Sequence, residues 1–291
     1  MVKSTKRLPP LPPSFSCSST ARQHHTVTGH IHVHKRFTST ILRNHRDVIV
    51  YLPPDYETDK RKKYPILYLQ DGQNLFDGTT SFTYGQEWRV DETAQSLIGA
   101  GKIEPLIIVG IYNAGHERTD EYTPTHDAKR KIGGKAELYG RMLVEELKPF
   151  IDANYRTLNH ARHTGLGGSS LGGLVSLYLG LKYPEVFSRL AVVSPSVWFD
   201  DRKIVRYVEA LAKRPNLRIW LDTGTKEGGT AQEAQETVAN ARLLLETLIG
   251  RGWKPGRDLI YFEKDDAEHN ENAWAARVEP MLQFLFPRRE K

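Results

Sequence analysis

The 291-residue chain contains a single cysteine, Cys17. One thiol excludes an intrachain disulfide framework, and a chain of this length buries a core without one. With no base predicted nearby, Cys17 is also a poor candidate nucleophile. Long apolar runs are missing too. No stretch reaches the length of a membrane span, and the basic opening MVKSTKRLPPLPPSFSCSST lacks the apolar core of a signal peptide. A cytoplasmic protein without a membrane partner is therefore expected. There is no internal repeat. Net charge is +6, but the excess sits largely in the first 45 residues and at Arg288-Arg289 rather than in one interior patch. Nucleic-acid binding needs clustered phosphate contacts with base-reading or stacking elements, so this distribution reads as a basic surface and not as a nucleic-acid partner.

Residues 1–25 are rich in Pro, Ser and basic side chains without periodicity and are expected to form an arm, with residues 26–291 as one domain. From Val27 the sequence alternates in strand fashion, and Asp47 to Leu52 reads as a second strand before Pro53-Pro54. This pair should open a sheet with antiparallel strands. Short apolar runs then recur at Ile66 to Leu69, Leu106 to Ile111, His163 to Leu166, Leu190 to Val193, Ile219 to Leu221 and Leu259 to Phe262. Helix-like segments fall among them, at Ala136 to Ala153, Gly172 to Lys182, Lys203 to Ala212, Ala231 to Ile249 and Glu271 to Phe286. Buried parallel strands have this look, and their alternation with helices predicts an α/β protein with right-handed crossovers. Ligands in such sheets bind beyond the carboxyl ends of the strands.

The run Gly168-Ser169-Ser170-Leu171-Gly172 is a G-x-S-x-G motif between a predicted strand and a predicted helix. The spacing suits a serine on a strained strand-to-helix turn, where flanking side chains would collide with neighbouring backbone. Only Ser170 occupies the nucleophile position; Ser169 does not. The helix beginning near Leu171 aims its amides and positive dipole end at a developing oxyanion. A phosphate-binding P-loop is disfavoured, since no Gly-Lys-Ser/Thr follows.

Five blocks in order carry a resemblance that runs from about Val27 to Phe286. They are Tyr68 to Asp77 (YLQDGQNLFD), Asn113 with Glu117-Arg118 and Glu121-Tyr122, Glu145 to Ile151, Gly168 to Gly173, and Glu268-His269-Asn270. The chain resembles the esterase family that includes enterochelin-type siderophore esterases, S-formylglutathione hydrolases, feruloyl and acetylxylan esterases, and mycolyltransferases. It is most similar to the enterochelin-esterase-like branch. The resemblance implies an α/β-hydrolase fold, a mostly parallel central sheet flanked by helices with antiparallel N-terminal strands, and a small-molecule ester as the partner.

A serine hydroxyl needs a neighbouring base, usually a histidine oriented by a carboxylate, and in this fold the chain order is serine, acid, histidine. His269, in a loop after the last predicted strand, takes the base position. For the acid, Asp222, Glu227 and the pair Asp265-Asp266 are available. Glu227 is preferred because it lies in the turn after the strand, and Asp222 stays open as the alternative. The loop after Ile66 to Leu69 should supply the second oxyanion donor, so the backbone amide of Gln73 joins that of Leu171. Asp71 stands where many relatives carry His-Gly, which makes the site more acidic. The resemblance implies that some of Trp88, Tyr112, Arg118, Tyr122 and Trp198 line the substrate pocket, with Trp88 and Trp198 equally readable as packing mass. His30, His32 and His34 share one strand face, but no carboxylate partner or second histidine motif accompanies them, so no metal and no other cofactor is expected. Ester hydrolysis is the leading reading. Acyl transfer by the same fold and a catalytically silent binding scaffold are the alternatives.

Overall fold

A computed structural model describes residues 25–288. Cys17 and nearly all of the predicted arm lie outside the described residues, as does Arg289. The strands are β1 (His30–Ser39), β2 (Asn44–Leu52), β3 (Ile66–Gln70), β4 (Ile107–Ile111), β5 (His126–Asp127), β6 (Ile132–Gly133), β7 (Thr164–Ser169), β8 (Arg189–Val193), β9 (Arg218–Gly224) and β10 (Leu259–Lys264). The helices are α1 (Val90–Gly99), α2 (Arg118–Glu121), α3 (Ala136–Arg141), α4 (Lys148–Asn154), α5 (Leu171–Lys182), α6 (Phe199–Glu209), α7 (Ala231–Gly250) and α8 (Glu271–Leu285).

Eight strands form one sheet in the order β1-β2-β4-β3-β7-β8-β9-β10, with β5 and β6 making a separate hairpin. β1 pairs antiparallel with β2 and β2 antiparallel with β4, while the pairings from β4 through β10 are parallel. The antiparallel opening and parallel body follow the sequence pattern, and the arrangement is that of an α/β hydrolase.

Strand geometry explains why the parallel runs are apolar throughout. Successive side chains point to opposite faces, and both faces are covered. Ile66 and Tyr68 of β3 enter the core formed with α3, α4 and α5, whereas Leu67 and Leu69 enter the core formed with α1 and α8. Burying each such side chain contributes roughly 1.5–3 kcal/mol.

Departures from the sequence pattern have local causes. The stretch Ala136 to Ala153 is interrupted by a π-helical turn at Met142–Leu147. Pro149 sits in the first turn of α4 and would clash with the carbonyl four residues back in a regular helix, which the wider turn avoids. The regular part of α6 begins after Arg202, because Asp200, Asp201 and Arg202 have left-handed backbone angles. Helix α1 escapes a sequence reading because its N-cap is Arg89 at φ 54°, without a capping side chain. Among the described residues no helix is long and apolar enough to cross a membrane.

Candidate active site

β7 delivers Ser170 at φ 59°, ψ −123°, and α5 starts at the next residue. This backbone conformation is sparsely populated for a non-glycine residue and costs on the order of 1–3 kcal/mol. Surrounding contacts hold it. The Ser170 amide donates to the Val193 carbonyl at 3.0 Å, and the Ser170 carbonyl accepts from the amides of Leu174 (3.1 Å) and Ser196 (3.0 Å). The flanking glycines are required by close approach. A Cβ on Gly168 would lie 2.8 Å from Gln70 Cβ and 3.1 Å from the Gly172 carbonyl carbon, and one on Gly172 would lie 3.0 Å from Gln70 Cβ.

His269 lies in the loop between β10 and α8, with its Nδ1 3.0 Å from Glu227 Oε2. The rings of His269 and Trp274 meet edge to face, with their centroids 5.0 Å apart. Glu227 is buried in the turn after β9, where its other oxygen, Oε1, accepts from Ser194 Oγ at 2.5 Å, the Gly224 amide at 2.7 Å and Arg277 Nη2 at 3.4 Å. Burial acts to raise the Glu227 pKa. The hydrogen bond and charge of His269, the Ser194 hydroxyl and the Arg277 charge outweigh it, so the carboxyl is held below the usual glutamate value. Asp222 faces elsewhere. Its Oδ1 accepts from Arg277 Nη1 at 2.8 Å and the Ser194 amide at 3.1 Å, and its Oδ2 accepts from Trp220 Nε1 at 2.6 Å. Burial raises Asp222 to about 6 despite Arg277. Of the acids weighed from the sequence, Glu227 is the one that reaches His269.

Ser170 and His269 line a shared cavity of about 240 Å³ at the carboxyl ends of the parallel strands. Ser170 Oγ is 3.2 Å from Ser196 Oγ. Among the described residues no hydrogen bond joins Ser170 to His269, and the Ser170 hydroxyl is turned toward Ser196.

The loop after β3 supplies the opposite wall. Asp71, at φ 55°, binds Arg118 bidentately at 2.7 and 2.8 Å and accepts from Asn113 Nδ2 at 2.7 Å. Two residues on, Gln73 faces the cavity within a short 3-10 turn, Gly72–Asn74. Asn74 Nδ2 donates to Glu271 Oε1 at 2.9 Å, tying this loop to the first turn of α8. Burial, with the Asp71 charge adding to it, moves Glu271 upward. A strained hydroxyl, an imidazole braced by a buried carboxylate, and a polar wall are the parts required for acyl transfer through a serine.

A family model described as "Putative esterase" matches residues 39–285. The chain belongs to this esterase family. The Bacillus subtilis protein YbbA is 27% identical over 77% of this chain and 86% of its own length. The endo-1,4-beta-xylanase/feruloyl esterase of Xylanibacter ruminicola is 27% identical over 81% of this chain, a match covering 29% of that longer protein. The structure of the BES protein from Bacillus cereus superposes with a TM-score of 0.69 at 20% identity, covering 92% of this chain and 99% of that one. Siderophore esterases of Bacillus subtilis and Escherichia coli are further relatives of this esterase.

Several residues expected in the substrate pocket of the esterase lie elsewhere. Trp88 is buried in the core against Trp274 at 5.8 Å and exposes no wall. Tyr122 is likewise fully buried, sandwiched beside Tyr139 and Arg118, and its hydroxyl accepts from the Asp71 amide at 3.3 Å. It supports the wall from behind. Trp198 is 45% exposed, carries Arg130 over its ring and is not among the residues lining the cavity. Arg118 and Asp71 do line it. Asp266 pairs with Lys226 at the surface, away from His269. His32 and His34 both meet the Tyr155 hydroxyl, at 3.3 and 2.6 Å. Among the described residues no group of three or more His, Cys, Asp or Glu side chains is placed to hold a metal ion. The residues that sequence reasoning missed include Phe82, Ser194, Ser196, Glu271, Trp274 and Arg277. Arg277 left a signal, since it stands on the core-facing stripe of α8 with Trp274, Val278 and Met281.

Proposed function

We infer that this protein is a serine carboxylic-ester hydrolase that works through an acyl-enzyme on Ser170. The observation that carries the reading is the convergence, on one cavity, of a backbone-strained serine and a histidine whose Nδ1 is held by the buried Glu227. Ser170 Oγ attacks the ester carbonyl carbon and its proton passes to His269 Nε2. The carbonyl oxygen becomes an oxyanion facing the amides of Leu171 and Gln73. Collapse breaks the bond to the alcohol oxygen, which leaves with the proton from His269. Water then attacks the acyl group, gives a proton to His269, and Ser170 recovers that proton as the free acid departs. Glu227 keeps the imidazole in the tautomer with Nε2 free and stabilises its protonated form.

For the substrate, the relatives' names bring siderophore and feruloyl esters to this chain as candidates. A cavity of about 240 Å³ with Asp71, Arg118, Asn113 and Glu271 on its walls and Phe82 at its edge suits a compact group bearing hydroxyls or an aromatic ring. The test pairs fluorophosphonate labelling with hydrolysis of a panel of aryl, feruloyl, acetyl-sugar and trilactone esters. Ser170→Ala is expected to abolish labelling and cut turnover by about 10⁴-fold or more, while Ser169→Ala keeps a large part of both. Equal loss from the two substitutions overturns the assignment. Release of free acid in water, rather than ester exchange with an added alcohol, separates hydrolysis from acyl transfer.

A further inference from the structure

At the end of the sheet opposite Ser170, the amino ends of four parallel strands bring five arginines around a cavity of about 540 Å³. Arg189 and Arg218 are the first residues of β8 and β9, Arg162 sits in the turn before β7, and Arg214 and Arg257 lie in the loops before β9 and β10. Among the described residues two carboxylates line the cavity with them. Glu104 takes Arg189 at 2.6 Å, and Asp258 takes both Arg214 at 3.0 Å and Arg257 at 2.6 Å. Arg162 donates to His163 Nε2 and Arg218 to the Phe284 carbonyl, so among the described residues neither has a carboxylate partner. Among the described residues, five guanidiniums against two carboxylates leave an excess of three positive charges in one concavity.

Aromatic rings fix three of these guanidiniums. Arg189 lies over Phe286 at 4.6 Å, Arg218 over Phe284 at 5.3 Å and Arg214 over Trp253 at 5.4 Å. Preorganised side chains lose less freedom on binding, and a guanidinium stays charged at every physiological pH. Its planar fork matches phosphate oxygens two at a time.

We propose that this cavity is a binding site for the linear di- or triphosphate group of a small molecule, separate from the ester site and independent of the reading of Ser170. A chain of phosphates carries enough negative charge to offset the excess and enough oxygens to engage Arg162 and Arg218 together. A monoanion does neither.

Isothermal titration of the whole protein at constant ionic strength tests it, with tripolyphosphate, ATP and citrate as probes. Tripolyphosphate is expected to bind one per chain, more weakly as salt rises. The pair Arg162→Ala and Arg218→Ala should weaken it by at least about tenfold. Arg162→Ala alone, at an exposed position, should weaken it measurably with the melting curve unchanged. The pair Lys131→Ala and Lys203→Ala removes the same charge from exposed positions elsewhere and should leave binding intact. ATP binding equal to tripolyphosphate identifies the phosphate chain as the whole ligand, and tighter ATP binding adds the nucleoside to it. Equal loss in the arginine and lysine pairs, or citrate binding as tightly as tripolyphosphate, overturns the site.

Discussion

Two sets of buried acids sit on either side of α8 and α1, and the protein treats them differently. At the end of β9, Asp222 and Glu227 share Arg277, which bonds both, and every remaining oxygen has a donor from Ser194, Trp220, Gly224 or His269. At the start of α1, Glu87, Asp91 and Glu92 crowd together, and among the described residues the cation beside them is Arg89, largely exposed, which bonds Glu92 at 3.2 Å and not Asp91. Asp91 Oδ2 accepts from the Thr28 amide at 2.6 Å, but among the described residues Glu87 Oε2 is buried with no hydrogen-bond partner, and the buried Asp91 Oδ1 and Glu92 Oε2 have no donor beyond a proton shared between the two carboxyls. Burial, together with Glu92, raises Asp91 far above an ordinary aspartate, and burial raises Glu87. A buried carboxyl therefore stays charged only where cations and donors converge on it. In this chain that condition is met beside His269 and unmet at α1.

The largest effect should come from removing the charge beside His269. Glu227→Gln is expected to lower kcat by about 10²- to 10⁴-fold with little change in KM, because it removes an orienting and charge-stabilising group while leaving the cavity wall. Asp222→Asn touches Arg277 rather than His269, so it should cost much less in kcat. Steady-state kinetics on one ester decide this. A larger kcat loss from Asp222→Asn would reverse the assignment of the acid.

How far the sequence reaches is visible in these same residues. Ser170 and His269 were legible because their positions follow from chain order and from glycines that close approach demands. Glu227 was legible from its place in the turn after a strand, since a loop carboxylate can reach a loop imidazole. Arg277 was not named, because pairing between α8 and the end of β9 is a tertiary fact and its helical spacing marks only a core-facing position. Trp88 and Tyr122 misled for the converse reason. Tyr122 follows the cavity-lining Arg118 by one helical turn and Trp88 lies a few residues beyond the cavity-lining Phe82, but large aromatic side chains gain more by full burial than by forming a wet wall. The acid cluster at α1 is not legible in the sequence, because a first-turn Asp91-Glu92 pair looks like ordinary dipole complementation at the surface of a helix.

Removing the shared cation should give the next largest effect. Arg277→Met leaves Asp222 buried with no compensating charge and Glu227 with His269 as its remaining counter-group, and breaking such a buried pair costs about 3–5 kcal/mol. The two acids oppose each other in their pH dependence. Glu227, lowered when folded, adds stability above the ordinary glutamate range and loses it as pH falls through its lowered value. Asp222, raised to about 6, favours the folded state below the ordinary aspartate range and loses that contribution as pH rises through 6. Without Arg277 both shift upward, so denaturation at pH 8 should show a larger destabilisation than at pH 5. The acid limb of kcat should also move to higher pH. An equal loss of stability at both pH values would mean that Arg277 acts through packing alone.

The smallest effect, and the one of opposite sign, belongs to Asp91. Its folded pKa is raised, so the folded chain holds a proton there that the unfolded chain gives up above the ordinary aspartate range, near 4. Stability from this group is complete below that range and is lost as pH rises through the raised value. Asp91→Asn keeps an oxygen to accept from the Thr28 amide and removes the charge that becomes costly at alkaline pH. The substitution should therefore be close to neutral at pH 5 and stabilising at pH 9, by roughly 1–3 kcal/mol given the typical cost of burying a poorly satisfied polar group. Urea denaturation at the two pH values measures it, and the gain should grow steadily between them. Asn74→Ala, made at a residue that contacts Glu271 instead, should show no such growth. If Asp91→Asn destabilises equally at both pH values, the Asp91 carboxylate is satisfied in the folded chain, and the contrast with Glu227 fails.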